Sequence, residues 1–528
     1  MSIQNHPALI MALLDPTAYD HPCRDIQLIE THISWLLLTG DYAYKIKKPV
    51  NFGFLDFSTL ALRKHFCTEE IRLNARLAPQ IYLQVVRISA SATEPRINGD
   101  GPALEYAVKM RQFDNSGLFD RLVSSDRLSS KIISDTAGTL AHFHGKIAVA
   151  GPDSPFGEPD AVHRPVCENF EQLEQHTAGF LAINKHHDTF QHIRQWSEQA
   201  FTVLEPILAQ RKIDGFIREC HGDLHLGNIA LIDDRVTPFD GIEFNPDLRW
   251  IDIMSEIAFL LMDLQDHGRA DLAHHLLNAW LEISGDYSGL AVLRYYQCYR
   301  AMVRAKVAAL RGSQTKSKNT ESDLANYIQL ADEYTRPTRP ALLITHGLSG
   351  SGKSWLTQAL LEATGMIRLR SDVERKRLAG LAPLAHSDSS PGAGLYSAEF
   401  TQRTFTRLED LARRVLRTGY VVVVDATFIK GSERKCFRQL AHSLAIPFRI
   451  IHCETDIEIL HQRIGTRQSE GRDASEAGLS VLELQLENQE PLDKNELNEA
   501  FIIDTTDSVD LSPIKFWLKG LNSSDGAS

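Results

Sequence analysis

Closely spaced cysteine pairs are absent from this chain of 528 residues. Its seven cysteines lie far apart in the sequence, and no two of them form a C-x-x-C pair. Such pairs are typical of structural zinc sites, and dense cysteines are typical of disulfide-stabilised secreted domains. The sequence therefore predicts a protein of a reducing compartment that has no structural zinc site.

Targeting and membrane-spanning segments are also missing from the sequence. The N-terminus has no basic stretch of the kind that opens a signal peptide, and Asp15 and Pro16 cut its apolar run short. No uncharged run approaches the ~20 residues that a transmembrane helix needs. We therefore expect a cytoplasmic protein that does not associate with membranes.

An excess of positive charge is lacking as well. The chain has 56 lysines and arginines against 68 aspartates and glutamates, which gives a formal net charge of -12 at pH 7. Proteins that coat nucleic acid through bulk charge are basic. The composition argues against that class, although a local basic groove is compatible with it. Small-molecule substrates are the expected partners.

The length predicts two or three domains, because a single hydrophobic core seldom serves more than about 250–300 residues, and we expect two. A helix predicted over 295–310 should end the first domain. The polar, aperiodic stretch 311–320 then predicts a linker, and a short helix over 323–334 precedes Pro337 and Pro340, which cannot continue it. The predicted domains are residues 1–335 and 336–528.

A strand, a glycine loop and a helix are predicted in succession over residues 341–361, ALLITHGLSGSGKSWLTQALL. The run GLSGSGKS fits the P-loop pattern G-x-x-x-x-G-K-[ST], in which backbone N–H groups approach phosphate oxygens too closely for a Cβ. The lysine reaches the terminal phosphates and the last hydroxyl binds Mg²⁺, so ATP and Mg²⁺ are the expected cofactors. A plain glycine-rich turn is the alternative. The candidate binding residues are Gly347, Ser349, Gly350, Ser351, Gly352, Lys353 and Ser354.

Two acidic residues end predicted strands in the same half of the chain. The run VVVVD places Asp425 at the end of a buried strand, which is the Walker-B pattern that orients Mg²⁺. Asp372 follows a strand over 366–369, and because the C-terminal ends of parallel strands face the ligand, Asp372 should point towards the phosphate acceptor. Ser371 and Glu374 also match a capping box, which would make this segment a helix start. Both interpretations can hold together.

Arginines further along are candidates for phosphate contacts. Arg463 and Arg467 fall on a predicted helix, and Arg472 falls on the loop after it. A mobile lid can bring a guanidinium to the phosphates, where it makes two hydrogen bonds as charge develops. The alternative is an ordinary amphipathic helix with arginine on its wet face. Further strands over 447–453 and 501–503 complete an open sheet of about five strands.

The first half of the chain begins with a predicted β-hairpin over residues 33–47. In a kinase-like small lobe, the A-x-K spacing lets a small residue lie beneath adenine while the lysine reaches the phosphates, which makes Lys45 the candidate. A solvated edge is the alternative. A helix predicted over 60–77 carries Glu69 and Glu70, and spacing alone does not decide which of them pairs with Lys45.

The run CHGDLHLGN over 220–228 has the spacing of the kinase catalytic loop, H-x-D-x-x-x-x-N. A short loop of this kind brings a carboxylate, Asp223, to the acceptor hydroxyl and an amide oxygen, Asn228, to Mg²⁺. The following strand ends in Asp240, the expected second metal ligand. His221 is expected to brace the loop by hydrogen bonding. The alternative for Asp223 is an aspartate that caps a turn.

These residues resemble the aminoglycoside phosphotransferase and choline kinase-like family, which has the protein-kinase fold, over roughly residues 30–310. The motifs that carry the resemblance are HGDLHLGN and the downstream FDGIEF. It implies Asp223 as catalytic base, Asn228 and Asp240 as Mg²⁺ ligands and Lys45 as the phosphate lysine. The segment LLLTGDYAY has no G-x-G-x-x-G, so a plain hairpin must cover the phosphates. Two further acidic residues are candidates either for docking an acceptor or for solvated and capping roles, namely Glu243 and Asp252.

The second half resembles the P-loop kinases related to polynucleotide kinase, gluconate kinase and zeta toxin, from residue 340 to about residue 506. The segments GLSGSGKS, LRSDVERK, VVVVDAT and RIGTRQSEGRDAS occur in that family's order. The resemblance implies Asp372 as the acceptor-activating base and Arg375 as an acceptor-side contact. The whole chain looks like proteins in which an aminoglycoside phosphotransferase-like domain is fused to an ATP-binding domain. That label names a superfamily and does not establish an antibiotic substrate.

The predicted fold is therefore an α+β protein-kinase-like bilobal domain followed by an α/β P-loop NTPase domain with an open parallel sheet. The predicted function is transfer of the γ-phosphoryl group of ATP to hydroxyl groups of small molecules at two nucleotide sites. Each half has a candidate base, Asp223 or Asp372, which ATP binding alone does not require. The alternatives are an ATP-binding regulatory protein whose P-loop half is a conformational switch, and a nucleic-acid-end kinase in that half.

Overall fold

The chain forms two compact units in its computed structural model. The first comprises Met1–Ile132, His142–Gln172 and Glu205–Asp263, and the second comprises Ile133–Ala141, Leu173–Leu204 and Leu264–Ser528. The domain boundary at 335/336 stays a prediction. The structure describes residues 6–53, 55–183, 186–315, 318–385, 387, 393–470, 477–507 and 509–523, and within these ranges all side chains except those of 176–183, 312–315, 318–320, 467–470 and 522–523.

Secondary structure up to residue 266 alternates short strands with helices. The elements are α1 (Ala8–Ala12), β1 (Gln27–Glu30), β2 (Ser34–Leu38), β3 (Tyr42–Lys47), α2 (Leu60–Asn74), β4 (Tyr82–Ala90), β5 (Pro95–Ile97), β6 (Glu105–Arg111), α3 (Phe119–Ser124), α4 (Ser130–Lys146), α5 (Pro159–Ile183), α6 (His186–Ile213), β7 (Ile217–Glu219), β8 (Ile229–Ile232), β9 (Arg235–Pro238), β10 (Trp250–Asp252) and α7 (Ile253–Asp266).

An antiparallel sheet of six strands, in the order β1-β2-β3-β6-β4-β5, organises the first unit. Tyr44 and Ile46 of β3 belong to the apolar core on one face of this sheet. Ala43 belongs to the core on the other face, where Cys67 of α2 also packs. Because successive strand side chains alternate between faces, Lys45 and Lys47 lie on the α2 side with Ala43.

Two short antiparallel pairs, β8 with β9 and β7 with β10, flank the run HGDLHLGN. The β8–β9 hairpin returns the chain so that the Phe239 N–H donates to the Asn228 carbonyl over 2.9 Å. Asp240 follows with a φ of 62°, a left-handed conformation that re-aims the chain at this point. The hairpin therefore brings residues 228 and 240 side by side at one end.

Secondary structure after residue 266 begins with helices and continues as alternating strands and helices. The elements are α8 (Ala270–Ser284), α9 (Leu290–Thr315), α10 (Lys318–Thr335), β11 (Leu342–His346), α11 (Lys353–Thr364), β12 (Ile367–Arg370), α12 (Ser371–Leu378), α13 (Ala398–Arg417), β13 (Val422–Asp425), α14 (Gly431–Ser443), β14 (Phe448–Glu454), α15 (Ile457–Glu470), α16 (Leu479–Asn488), α17 (Lys494–Asn498), β15 (Ala500–Asp504) and α18 (Ser512–Ser523). Among the helices of the described residues, none is both long and apolar enough to cross a bilayer.

A parallel sheet of five strands, in the order β12-β13-β11-β14-β15, organises the second unit. Every residue of β11 and β13 is buried. Burial of both faces explains the apolar runs 341–344 and 421–424 in the sequence. With the antiparallel sheet and catalytic-loop hairpin of the first unit, this sheet confirms the predicted fold class.

Two local expectations from the sequence are wrong. The stretch 311–320 is helical up to Thr315 and again from Lys318, because its arginine, glutamine and lysine residues are compatible with a helix and α10 packs on α9. The capping box is not formed, because Ser371 is already the first residue of α12 and no side chain caps that helix. Glu374 is instead buried, and its carboxylate accepts a hydrogen bond of 2.7 Å from Arg407 Nε.

A buried ion pair on α14 provides a test of the second unit's core. Arg434 binds both carboxylate oxygens of Glu496, over 2.9 and 3.0 Å, and both side chains are almost fully buried. The substitution Arg434→Met leaves the Glu496 charge buried without a partner, which costs about 3–5 kcal/mol. We expect the melting temperature of the second unit, measured by calorimetry, to fall by roughly 10 °C.

The matched control is Arg413→Met on α13. Arg413 pairs with Glu409 one helical turn away, and about a third of its side chain is exposed. A pair that is partly open to solvent in this way contributes only about 0.5 kcal/mol. Equal shifts for the two variants would contradict a stabilising role for the Arg434–Glu496 pair.

Candidate functional site

The predicted phosphate lysine of the first unit is held by two carboxylates. Lys45 Nζ lies 2.9 Å from Glu70 Oε1 and 2.5 Å from Asp240 Oδ1. Glu70, and not Glu69, is therefore the partner that the sequence left open; Glu69 pairs with Arg72 on the surface of α2. Burial alone would lower the pKa of Lys45, but the neighbouring carboxylates outweigh it and raise that pKa well above its usual value.

A second lysine on the same strand joins this network, and the sequence did not single it out. Lys47 is fully buried, its Nζ lies 2.6 Å from Glu70 Oε2, and it also forms an ion pair with Glu243. The Phe57 ring packs 4.8 Å from the ammonium group. Burial favours neutral Glu70, but the two lysines hold the pKa of its carboxyl below the usual value. Both lysines therefore stay charged and fixed in place.

The catalytic-loop residues are cross-linked by hydrogen bonds. The Asn228 amide donates to the Asp223 carbonyl over 2.9 Å and to Asp223 Oδ2 over 3.0 Å. His221 Nε2 lies 2.8 Å from the Phe239 carbonyl, and its Nδ1 accepts the Asp223 N–H over 3.3 Å. A ring that accepts at Nδ1 donates from Nε2, so the geometry fits the bracing role expected for His221.

The sequence analysis missed Glu256, the carboxylate that anchors this loop. Glu256 lies on α7, is buried, and accepts the backbone N–H groups of His221 and Gly222 over 2.7 and 2.8 Å. Its other oxygen lies 3.0 Å from His144 Nε2. Burial acts to raise the pKa of Glu256, but these hydrogen bonds keep it below its usual value. No spacing motif links Glu256 to the loop, so only the fold could have revealed it.

Asp240 combines a fixed backbone with an accessible carboxylate. Its N–H donates to the Tyr82 hydroxyl over 3.0 Å, while its side chain is 44% exposed. Together with Asn228 it offers oxygen atoms, which are the ligands that Mg²⁺ prefers. The donor set of the first unit therefore fits a magnesium ion at Asn228 and Asp240.

Glu243 and Asp252, the two further acidic candidates, are buried in ion pairs. Glu243 pairs with Lys47. Asp252 binds Arg211 through both oxygens, over 2.6 and 2.7 Å, and also accepts the Met254 N–H near the start of α7 over 2.9 Å. Asp252 therefore has a capping role, and neither residue is solvated.

In the second unit, the loop between β11 and α11 has the backbone that phosphate binding requires. Gly347, Gly350 and Gly352 have φ angles of 148°, 85° and 79°. A Cβ on Gly347 would lie 2.7 Å from Ser351 Oγ, and one on Gly350 would lie 3.1 Å from the Leu460 carbonyl. The positive end of α11 adds a field that favours an anion at this loop. The loop therefore encloses a concave space, and Cβ atoms at its glycines would clash with the groups around that space.

The polar side chains around the loop line one cavity of about 260 Å³. Ser354 Oγ donates to Asp425 Oδ2 over 2.8 Å, so a hydroxyl and a carboxylate lie together where Mg²⁺ is expected. Lys353 Nζ donates to the Leu348 carbonyl over 2.6 Å and lines the same cavity. Five of the seven predicted P-loop residues line this cavity, namely Ser349, Gly350, Gly352, Lys353 and Ser354. The other two are Gly347, the first residue of the loop, and Ser351, in the middle of the loop.

Asp372 and Arg375 line this cavity as well. Asp372 lies in the first turn of α12, directly after β12. Arg375 is buried, and its Nη1 donates to the Leu395 carbonyl over 2.8 Å, while the Tyr396 ring packs 5.0 Å from its guanidinium carbon. The sequence-predicted base and acceptor contact therefore open onto the same space as the P-loop.

Of the three lid arginines, the structure describes the side chain of one. Arg463 lines the cavity, and its Nη2 donates to the carbonyls of Thr505 and Thr506 over 2.7 and 3.1 Å. The side chain of Arg467 and the whole of Arg472 lie outside the described residues. Arg463 thus has a fixed position beside the P-loop.

Gln485 on α16 contacts the P-loop directly and was not predicted. Its Oε1 accepts the Ser349 N–H over 2.8 Å. Ala477, Val481 and Gln485 are spaced four residues apart and all line the cavity, so one side of this segment faces the P-loop. The four-residue spacing was visible in the sequence, but nothing there indicated which side would face the loop.

Comparison with known proteins gives the family. The family model described as AAA domain matches residues 342–492, which confirms the predicted P-loop domain in this part of the chain. The uncharacterized protein Rv2004c of Mycobacterium tuberculosis (strain ATCC 25618 / H37Rv) is 30% identical over 467 residues, and the match covers 87% of this chain and 91% of the relative. The chain belongs to the family of Rv2004c.

Two solved structures are similar to parts of the chain. A putative kinase from Chloroflexus aurantiacus J-10-fl is 21% identical, with a TM-score of 0.29, and the match covers 35% of this chain and 98% of that chain. A choline/ethanolamine kinase family protein from Mesorhizobium loti is 10% identical, with a TM-score of 0.39, and the match covers 62% of this chain and 94% of that chain.

A histidine pair lies at the base of the P-loop. His346 is the last residue of β11, and its Nδ1 lies 2.7 Å from Nδ1 of His452 on the neighbouring strand β14. Burial, together with the charges of His452, Arg434 and Lys353, lowers the pKa of His346 from 6.5 to about 3. His346 therefore remains neutral in the folded protein at pH values where the unfolded chain binds a proton.

This difference predicts a pH-dependent stability of the second unit. Because the unfolded state binds the extra proton, stability contributed by neutral His346 is present above pH 6.5 and is lost as the pH falls towards 3. The loss is at most about 1.4 kcal/mol per pH unit. We expect His346→Gln to flatten the fall in melting temperature between pH 7 and pH 5. The matched control is His442→Gln, at an exposed position on α14, and equal pH profiles for the two variants would contradict the assignment.

Proposed function

We propose that this protein is an ATP-dependent phosphotransferase with one nucleotide site in each unit, and that each site transfers the γ-phosphoryl group of ATP to a hydroxyl group of a small molecule. A kinase-like first unit and a P-loop domain support a phosphotransferase, and the P-loop fold implies nucleotide binding. Use of two sites and the identity of the acceptors are the finer parts of the proposal.

The observation that carries the proposal is the composition of the P-loop cavity. Lys353, Ser354 and Asp425 on one side would serve nucleotide and Mg²⁺, while Asp372 and Arg375 line the same cavity. A protein that only holds ATP needs the first set and not the second. The presence of both sets in one cavity supports transfer to an acceptor over simple nucleotide binding.

In the second unit, the chain's own residues would divide the work as follows. The N–H groups of the P-loop and Lys353 bind phosphate oxygens, and Ser354 and Asp425 hold Mg²⁺, which neutralises phosphate charge when bound. Asp372 orients the acceptor hydroxyl and takes its proton. Arg463 reaches the phosphates from α15.

In the first unit, Lys45 binds the phosphates and Asp223 orients the acceptor hydroxyl and takes its proton. Asn228 and Asp240 hold Mg²⁺, which there too neutralises phosphate charge. Glu70 fixes Lys45. Lys45 Nζ lies 2.5 Å from Asp240 Oδ1, so the lysine proposed for the phosphates and a carboxylate proposed for Mg²⁺ are side by side, which supports their assignment to one site.

The decisive experiment looks for products. The pure full-length protein is incubated with labelled ATP, Mg²⁺ and a pooled library of metabolites and aminoglycosides, and phosphorylated products are separated and identified. Parallel samples contain Lys353→Ala, Asp223→Asn or both, with Lys515→Ala and Asp100→Asn as controls at exposed positions. We expect Lys353→Ala and Asp223→Asn each to remove a different product. No product in any sample, with nucleotide still bound, would favour the conformational-switch alternative.

A comparison of two carboxylates in the first unit separates catalysis from metal binding. Asp223→Asn keeps shape and hydrogen bonding but removes the base, so turnover should fall by roughly 10²–10⁴ while ATP affinity changes only a few-fold. Asp240→Asn weakens a metal ligand, so Mg·ATP affinity should fall, and excess Mg²⁺ should partly restore it. Calorimetric titration of ATP at several Mg²⁺ concentrations measures both effects.

Nucleotide binding at the P-loop would obscure that titration, so it is carried out in a Lys353→Ala background. Asp100→Asn is the matched control, because Asp100 is exposed in the loop before β6. If Asp223→Asn weakened ATP binding as much as Asp240→Asn, Asp223 would be a metal or structural residue and the assigned base would be wrong.

A further inference from the structure

Helix α8 covers the open edge of the P-loop sheet. The edge strand β12 has a strand neighbour, β13, on one side only. On the other side, Asn278 of α8 accepts the Arg368 N–H over 2.8 Å and donates to the Met366 carbonyl over 3.1 Å. The Asn278 amide thus satisfies backbone groups that a further strand would otherwise pair. His275 of the same helix lies 2.8 Å from Glu362 of α11.

Two arginines of β12 face a single glutamate on α8. Arg368 Nη2 lies 2.8 Å from Glu282 Oε1, and Arg370 Nη1 lies 3.8 Å from Glu282 Oε2. The three side chains are between 7% and 14% exposed. Arg368 also donates to the Ser354 carbonyl over 3.3 Å, which ties the pair to the first turn of α11. Glu282 therefore provides negative charge to the buried Arg368 and the partly buried Arg370 at the edge of the nucleotide cavity.

Arg370 lies between that glutamate and the Walker-B carboxylate. Its Nε is 3.8 Å from Asp425 Oδ2, the same separation as from its Nη1 to Glu282. Asp425 Oδ2 is also the atom that accepts the Ser354 hydroxyl. Arg370 itself lines the cavity. One guanidinium is thus shared between a carboxylate on α8 and the carboxylate expected to bind Mg²⁺.

We propose that Glu282 is a positioning residue that sets the Mg²⁺ affinity of the P-loop site by restraining Arg370 from pairing closely with Asp425. The inference rests on the proposed nucleotide site in the second unit. It assigns to α8, a helix that precedes the P-loop in sequence, an effect on the Mg²⁺ affinity of that site.

The sign of the effect follows from charge balance. Glu282 lies beside both Arg368 and Arg370, and Asp425 lies beside Arg370. Without the Glu282 charge, both arginines remain largely shielded from water, and the Asp425 carboxylate still lies beside Arg370. A tighter Arg370–Asp425 pair then competes with a divalent cation for Asp425. Nucleotide without metal does not need Asp425, so its binding should change much less.

The test is calorimetric titration of ATP into the full-length protein, once with EDTA and then over a series of Mg²⁺ concentrations. The variants are Glu282→Gln, Glu282→Asp and the control Glu333→Gln, which changes an exposed glutamate on α10. Glu282→Gln should raise the Mg²⁺ concentration for half-maximal binding about tenfold, a size usual for coupling between sites. Glu282→Asp should restore part of the affinity, and the EDTA titration should be nearly unchanged.

A double variant makes the test independent of a loss of packing. The double variant Glu282→Gln/Arg370→Gln removes both members of the Glu282–Arg370 pair. It should therefore reach half-maximal ATP binding at a lower Mg²⁺ concentration than Glu282→Gln alone. A purely structural role for Glu282 predicts the opposite, since two substitutions would then damage the site more than one. Recovery in the double variant supports the proposal, and further loss overturns it.

A Lys353→Ala background separates this inference from the proposed function. If Lys353→Ala removes no Mg²⁺-dependent binding, the P-loop site is not a nucleotide site and both proposals fail. If it removes that binding, while Glu282→Gln shows the same Mg²⁺ dependence as Glu333→Gln, the proposed site stands and the role of Glu282 is wrong.

Discussion

The pairing of buried charge between β3 and its acidic neighbours is the interaction on which the first unit depends. Lys45 and Lys47 leave the same face of one strand and share Glu70. Their other partners, Asp240 and Glu243, belong to the segment after β9. A charge taken out of water is tolerated only when its partner is well placed, so these pairs fix α2, β3 and the segment after β9 against one another.

The same requirement governs the catalytic loop. The loop that contains Asp223 depends on a neighbouring helix for part of its backbone hydrogen bonding, because Glu256 of α7 accepts the N–H groups of His221 and Gly222. His221 and Asn228 supply further cross-links. The buried carboxylate of Glu256 thus holds the backbone next to Asp223. Hydrogen bonds of this kind let a short segment without regular structure keep a defined geometry.

In the second unit the constraint is the backbone itself. The glycines of the P-loop adopt left-handed conformations in a space too tight for side chains, and the buried sheet places the loop at the C-terminal ends of its strands. Acidic and basic side chains from α12, α15 and the strand β13 then surround the loop. The residues that line the cavity come from elements that are far apart in sequence, and the parallel sheet brings those elements together.

The sequence by itself determined the elements whose chemistry depends on local spacing. GLSGSGKS, HGDLHLGN and the buried strand before Asp425 depend on neighbours only a few residues away, so their type and place could be predicted. The choice of Glu70 over Glu69, the anchoring by Glu256, the contact of Gln485 with Ser349 and the position of Glu282 beside two arginines were decided by the tertiary structure alone. Each of these contacts joins elements that are distant in the chain, and spacing along a sequence carries no information about which faces will meet once the sheets are covered. Local rules also misread the described part of 311–320, where polar residues that could have formed a loop belong to α9 up to Thr315 and to α10 from Lys318, because packing of α10 on α9 favours helix.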